Sequence, residues 1–227
     1  YHSFNEAGHF TSACSGMIYR DDLLFPRGDY GTENAFTCEP FHNLVQHNLV
    51  SDDGVSFKSR RASEEAECDF FASEDRWCRP VMTRTGPDGA LWIVDMYRYM
   101  IEHPEWLPAE GKAELLPHYR LGKERGRIYR VFSRDNAPRK PIPLGTLSLP
   151  QLVGALDSSN GWQRDKAQML LLWKKDPAAA PLLEKLARAS GNPYARLHAL
   201  CTLDGLGLLK PGLVERALAD PHPGVRI

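Results

Sequence analysis

No apolar run in the 227 residues approaches the roughly 18–20 residues that a membrane-crossing helix needs. No charge of one sign predominates either: 28 Lys and Arg stand against 29 Asp and Glu, a net charge of −1. The clustered basic excess of a nucleic-acid or polyanion binder is missing, which excludes that class of partner. The five cysteines, Cys14, Cys38, Cys68, Cys78 and Cys201, include no C-x-x-C and no C-x-x-C-H. Zinc-ribbon, thioredoxin-type and covalent-haem readings are therefore excluded within the chain. Tyr1-His2-Ser3-Phe4 has neither an initiator Met nor a basic-then-apolar signal segment. Asp220–Ile227 stops where a new helix would begin, so the chain is expected to be an internal fragment of a longer protein.

What is present is ordinary globular composition, 42% hydrophobic and 25% charged, which excludes general disorder. Two rhythms divide it. Up to residue 133 short apolar stretches alternate with turn clusters: Phe10–Tyr19, Ala35–Cys38, Asn43–Val50, Phe57–Arg60, Arg79–Thr85, Leu91–Asp95 and Arg127–Phe132. Phe25–Asp29, Asp52-Asp53-Gly54 and Gly86-Pro87-Asp88-Gly89 are tight-turn signals, because Pro presets φ and Gly accepts positive φ. Many short strands at this spacing indicate an all-β sandwich, barrel or propeller. The segment Val81–Asp95 followed by Gly126–Val131 is written like the inner three strands of a propeller blade. A looser earlier copy runs Ser12–Arg20, Asn34–Glu39, His42–Val50 and Ser56–Ala62. Residues 1–133 are thus expected to be C-terminal blades of an incomplete propeller.

Residues 134–147 form a Pro- and charge-rich linker. From 148 to 227 the period becomes helical, with i, i+3, i+4 apolar spacing over Leu149–Leu156, Trp162–Trp173, Ala178–Ala189, Tyr194–Leu206 and Leu213–Ala219. Arg164, Arg196 and Arg226 recur at intervals of 32 and 30 residues, which points to truncated HEAT-like helical repeats. The recurring Arg is expected to bond adjacent repeats rather than a ligand. A helix ahead of Arg134, or a sheet beyond Leu149, would break this division.

The chain resembles the membrane-bound dehydrogenase family of Planctomycetes and Verrucomicrobia. The resemblance rests on Gly8–Cys14, Asn34–Val45, Phe71–Trp77, Arg79-Pro80-Val81, Gly86–Tyr97, Ile101–Pro108 and Arg125–Val131, and extends into Gly161–Asp165 and Ala195–Leu200. It implies the last blades of a six-bladed glucose/sorbosone-dehydrogenase-like β-propeller followed by a HEAT-like α-solenoid, often with a C-terminal c-type haem domain. It further implies a periplasmic or envelope location and quinoprotein-type oxidation of a sugar or other alcohol. Pyrroloquinoline quinone with Ca²⁺ would be the cofactor, and haem c in a further cytochrome domain the electron acceptor. In that frame Arg79, just before an inner strand, corresponds to the arginine that contacts the quinone. A guanidinium would stabilise charge there as hydride arrives. The family's early-blade His base has no counterpart here, so the fragment alone is expected to be inactive. The alternative is a non-catalytic scaffold that binds a polysaccharide or another envelope protein.

The candidate residues follow. Arg79 is either a cofactor ligand or a tie between two loops. Asp95, Tyr97, Arg98, Glu102 and His103 lie on the loop after the second strand of the sharper blade. Asp95 and Arg98 are further cofactor-binding candidates, and His103 is a candidate general base, metal ligand or haem-facing electron-transfer contact. The competing expectation makes Ile101–Pro108 a packed insertion, with Trp106 plugging apolar surface and His103 hydrogen-bonded. Glu39, His42 and His47 do not form a metal set, because two residues five apart on one strand point to opposite faces. Asp52-Asp53-Gly54 reads as a hairpin turn rather than a Ca²⁺ loop, and His9 and His198 as ordinary core or surface histidines. Cys14 with Cys38 and Cys68 with Cys78 are open between disulfides and free thiols.

Overall fold

The computed structural model describes residues 10–25, 32–101 and 103–226. His9, Glu102 and the expected turn beyond Phe25 lie outside them. The chain divides into two compact units: Tyr1–Tyr19, Leu23–Gly86 and Ala90–Pro138 form the first, and Arg20–Asp22, Pro87–Gly89 and Arg139–Ile227 the second.

The first unit is built from two antiparallel sheets. In one, β1 (Cys14–Ile18), β2 (Thr32–Glu39), β3 (Leu44–Asp53) and β4 (Ser56–Arg61) follow one another as neighbours, and β5 (Phe71–Ala72) pairs with β3. β3 serves two partners on one side: Leu44 and Val45 face β5, and Asn48–Asp53 face β4. Gly54, at φ +66°, makes the tight β3–β4 turn that Asp52-Asp53-Gly54 signals. The second sheet is β6 (Pro80–Thr85), β7 (Leu91–Asp95) and β8 (Arg127–Val131). Strand alternation directs Phe36 and Cys38 of β2, and Leu91 and Ile93 of β7, into one apolar core with Tyr19 and Val45. His47, only 2% exposed, stacks on Phe36 with centroids 4.8 Å apart. Its ring nitrogens meet Glu65 Oε1 and Asn34 Oδ1 at 2.9 Å each, so the buried imidazole is fully partnered.

These sheets are not the blades of a six-bladed propeller. Among the described residues there is one five-stranded and one three-stranded sheet, neither closed, and the expected propeller-plus-solenoid class is corrected accordingly. The physical reason is that a period of two sets strands and hairpins, whereas closure depends on how sheets meet at long range. A helix also precedes Arg134: α1 (Ala109–Leu115) stands between β7 and β8. The strict β-then-α division therefore fails in that insertion, where Ala109-Glu110-Gly111-Lys112-Ala113-Glu114-Leu115 is rich in helix formers.

The second unit contains α2 (Leu149–Gly154), α3 (Gly161–Lys174), α4 (Ala180–Ala189), α5 (Pro193–Gly205), α6 (Pro211–Ala217) and α7 (Pro223–Arg226). Leu152, Leu156, Leu171, Leu183 and Leu203 are its fully buried centre. Leu144, from the expected linker, joins this core at 5% exposure. Asp21 also belongs to this unit. Its carboxylate accepts from Asn160 Nδ2 at 2.6 Å and from Arg139 at 2.6 Å.

The recurring arginines share one geometry. Arg164 donates to the carbonyls of Ser158 and Ser159, Arg196 to that of Ser190, and Arg226 to those of Asp220 and Pro221. Each reaches back to the loop that leads into its own helix. Arg196 adds the expected bond to the next loop, a two-pronged pair with Asp220 at 2.7 Å for each contact, and Arg164 lies over the ring of Tyr194 in α5 at 5.0 Å.

Candidate functional site

The C-terminal end of β7 gathers the candidates Arg79, Asp95, Tyr97 and Arg98. Asp95 ends the strand with its side chain fully buried. Its Oδ1 accepts the backbone N–H groups of Arg79 at 2.7 Å and Tyr97 at 2.8 Å. Its Oδ2 accepts from Arg127 Nε at 3.2 Å and Tyr129 Oη at 3.4 Å. With two donors on each oxygen, this carboxylate locks the strand end and shapes the loop that leaves it. Tyr97 takes φ +52° immediately afterwards.

Arg79 spreads its guanidinium over main-chain carbonyls: Nε to Arg98 at 3.1 Å, Nη1 to Pro40 at 2.9 Å and Phe41 at 3.3 Å, and Nη2 to Tyr99 at 3.1 Å. A planar fork of donors suits this bridging of two loops. Arg98 in turn donates to the carbonyls of Met96 and Tyr97. Arg79, Asp95 and Arg98 are therefore mutual neighbours. His103 is exposed and contacts its own turn. Its Nδ1 accepts from Glu105 N at 3.3 Å, and its ring lies 5.9 Å from Trp106. Trp106 is 81% exposed, so it does not plug apolar surface as expected. A Pro-led 3₁₀ turn, Pro104–Trp106, holds the indole outward.

Beside Asp95 the candidate Tyr97 joins Trp77 and Tyr99, two rings that the pattern of strands and turns does not single out. Trp77 packs 5.8 Å from Tyr97 and 5.6 Å from Tyr99, and Tyr99 lies 6.4 Å from His118. Arg127 sits over the Tyr97 ring at 4.1 Å and reaches Asp75 at 3.4 Å. Tyr99 and His118 are exposed, and Trp77 and Tyr97 partly so. The Trp77 backbone N–H, followed by Tyr97 and Arg127, holds the Asp75 carboxyl below the usual aspartate range. Beneath the rings, burial and then Asp95 push the Cys78 thiol up to about 11. Burial followed by Cys78 pushes Tyr129 up to about 12. The available signal is composition alone, since Trp77, Tyr97 and Tyr99 crowd the stretches that flank β6 and β7; the left-handed turn at Tyr97 ends the β7 alternation. Gly122 guards this loop. At φ +92° it lies against the Tyr97 carbonyl, where an added Cβ would come within 2.6 Å of the oxygen.

Away from this face, Glu39 is buried and accepts from Ser12 N and Oγ and from Phe41 N. His42 precedes β3, with its ring 5.1 Å from that of Phe41. No group of three His, Cys, Asp or Glu side chains among the described residues is arranged to hold a metal ion. Nor is any helix there long and apolar enough to cross a membrane. His198 in the helical unit meets Gln168 at 2.7 Å, and burial, with Arg164 nearby, pushes its pKa down to about 4.

A family model described as a domain of unknown function, DUF7133, matches residues 1–135. No curated protein and no solved structure matches the chain.

Proposed function

We propose, on the premise that this chain belongs to the DUF7133 family, that its sheet-bearing unit is a non-catalytic binding module for a polysaccharide. The observation that carries this reading is the stepped aromatic shelf of Trp77, Tyr97 and Tyr99, whose tyrosine rings are tilted 53° and 55° from the indole, edged by Asp75, Arg127 and His118. A pyranose ring presents a flat face of C–H groups that packs on an aromatic surface. Its rim of hydroxyls both donates and accepts hydrogen bonds, as a carboxylate and a guanidinium side by side require. Asp95 and Arg79 fit a positioning role: their hydrogen bonds hold the loops that carry the rings. An envelope location, which the family resemblance implies, would bring such a module to its ligand.

The test is affinity electrophoresis and calorimetry of the whole chain against a panel of neutral and acidic polysaccharides. Trp77→Ala and Tyr99→Ala should each weaken retention by at least about tenfold, equivalent to 1.4 kcal/mol, with thermal midpoints little changed. Retention equal to wild type in both variants would remove the shelf from the reading. Dye reduction by the chain with pyrroloquinoline quinone, Ca²⁺ and an aldose would overturn the non-catalytic assignment and favour the oxidoreductase alternative.

A further inference from the structure

The β1–β2 pairing carries two cysteines in register. Cys14, the first residue of β1, stands directly opposite Cys38 of β2. Facing residues of an antiparallel pair project to the same side, with Cα atoms about 4.5 or 5.5 Å apart. That lies inside the roughly 4.4–6.8 Å span of a disulfide. The register shifts by one residue between Cys14 and Met17, where Ser15 takes φ +53°. This bulge is pinned to β6: Thr83 N donates to Ser15 Oγ at 3.0 Å, and Thr83 Oγ1 to the Ser15 carbonyl at 3.4 Å. Both thiols lie against that same strand. Cys14 Sγ donates to the Val81 carbonyl at 3.5 Å, and Thr83 lies beside Cys38. Cys38 is fully buried in the core of the unit, and Cys14 packs against that core.

The other cysteines are placed differently. Cys68 and Cys201 are exposed. Cys78 is buried among Ser73, Asp95 and Tyr129.

We infer that Cys14 and Cys38 are a cross-strand disulfide site, which a small disulfide such as oxidised glutathione converts from two thiols to one intrachain bond. The less buried Cys14 loses its proton and attacks one sulfur of the oxidant, expelling one glutathione thiolate. Cys38, deprotonated in turn, attacks the Cys14 sulfur of the mixed disulfide and expels the second. Two electrons and two protons leave the pair, and the oxidant becomes two thiols. Burial, followed by the neighbouring Cys14, pushes Cys38 up to about 12, and burial and then Glu39 raise Cys14. Few thiolates are therefore present in the folded chain, so the bond forms while the chain folds and then resists exchange.

The experiment refolds the full chain from denaturant in a glutathione redox buffer, alkylates remaining thiols under denaturing conditions and maps peptides without reductant. A linked Cys14–Cys38 peptide pair is expected, with Cys68, Cys78 and Cys201 alkylated. Reductant should lower the melting temperature of the oxidised chain by roughly 5–10 °C, and Cys14→Ala should abolish that reductant dependence. Alkylation of both Cys14 and Cys38, or linkage of either to another cysteine, would overturn the assignment.

Discussion

Asp95 shows how one side chain can organise a whole face. Its two oxygens satisfy the N–H groups of Arg79 and Tyr97, the guanidinium of Arg127 and the phenol of Tyr129. Asp95→Ala would leave buried donors without acceptors and Arg127 without its buried partner. We expect a loss of about 3 kcal/mol in urea unfolding at neutral pH. Loss of polysaccharide retention should accompany it, because the Trp77, Tyr97 and Tyr99 loops hang from the same hydrogen bonds. A loss below about 0.5 kcal/mol would show that the loops hold themselves. Asp95, Arg79 and Arg98 were legible in the sequence as residues of one loop system, since all three flank strand ends. Their partners were not. Arg127 and Tyr129 come from a strand more than thirty residues away, and only the β7–β8 register brings Asp95 opposite Arg127. His103 sits just as near in sequence but turns into its own 3₁₀ cap.

At the scale of elements, the loops entering α3, α5 and α7 repeat one device. Ser158, Ser190 and Asp220 each accept the backbone N–H two residues on; Asn160, Asn192 and His222 then cap the helix. The arginine one turn into the helix closes back on the loop carbonyls. The period of 32 and 30 residues is thus the spacing of a capping unit, and its physical basis is the unsatisfied N–H groups at a helix start together with the carbonyls of the loop before it. Arg196 and Asp220 join two such units, and both are nearly buried. The Arg196 hydrogen bond, with the His222 N–H, holds the Asp220 carboxyl below the usual aspartate range. A folded pKa below the unfolded one contributes stability that is present above about pH 4 and fades as pH falls through the folded value. Asp220→Asn should therefore be less stable than wild type at pH 7, and the two should converge by about pH 2, measured as urea midpoints. A gap independent of pH would show that charge plays no part in the pair.

For the molecule as a whole, the boundary between rhythms is not the boundary between units. Arg20–Asp22 and Pro87–Gly89 belong to the helical unit. There Asp21 holds Asn160 and Arg139, and Arg20 pairs with Asp165 at 2.7 Å. A polypeptide of residues 139–227 alone would lack the Asp21 bonds to Asn160 and Arg139 and the Arg20–Asp165 pair. Its melting temperature, followed by far-UV circular dichroism, should lie below that of the helical signal in the full chain. Equal midpoints would show that the two short segments add nothing to the helices.

The sequence by itself determined where the chain is extended and where it coils. Side-chain alternation, Pro and Gly punctuation and capping residues act over a few neighbours and sufficed to place β1–β4, β6–β8 and α2–α6. It left α1 unmarked, because seven residues inside an insertion are too few for a period to show. Tertiary structure alone decided that the sheets stay open, that Cys14 meets Cys38, and that Trp77 joins Tyr97 and Tyr99. Each of these depends on register and on contacts between distant segments, which local periodicity leaves undetermined.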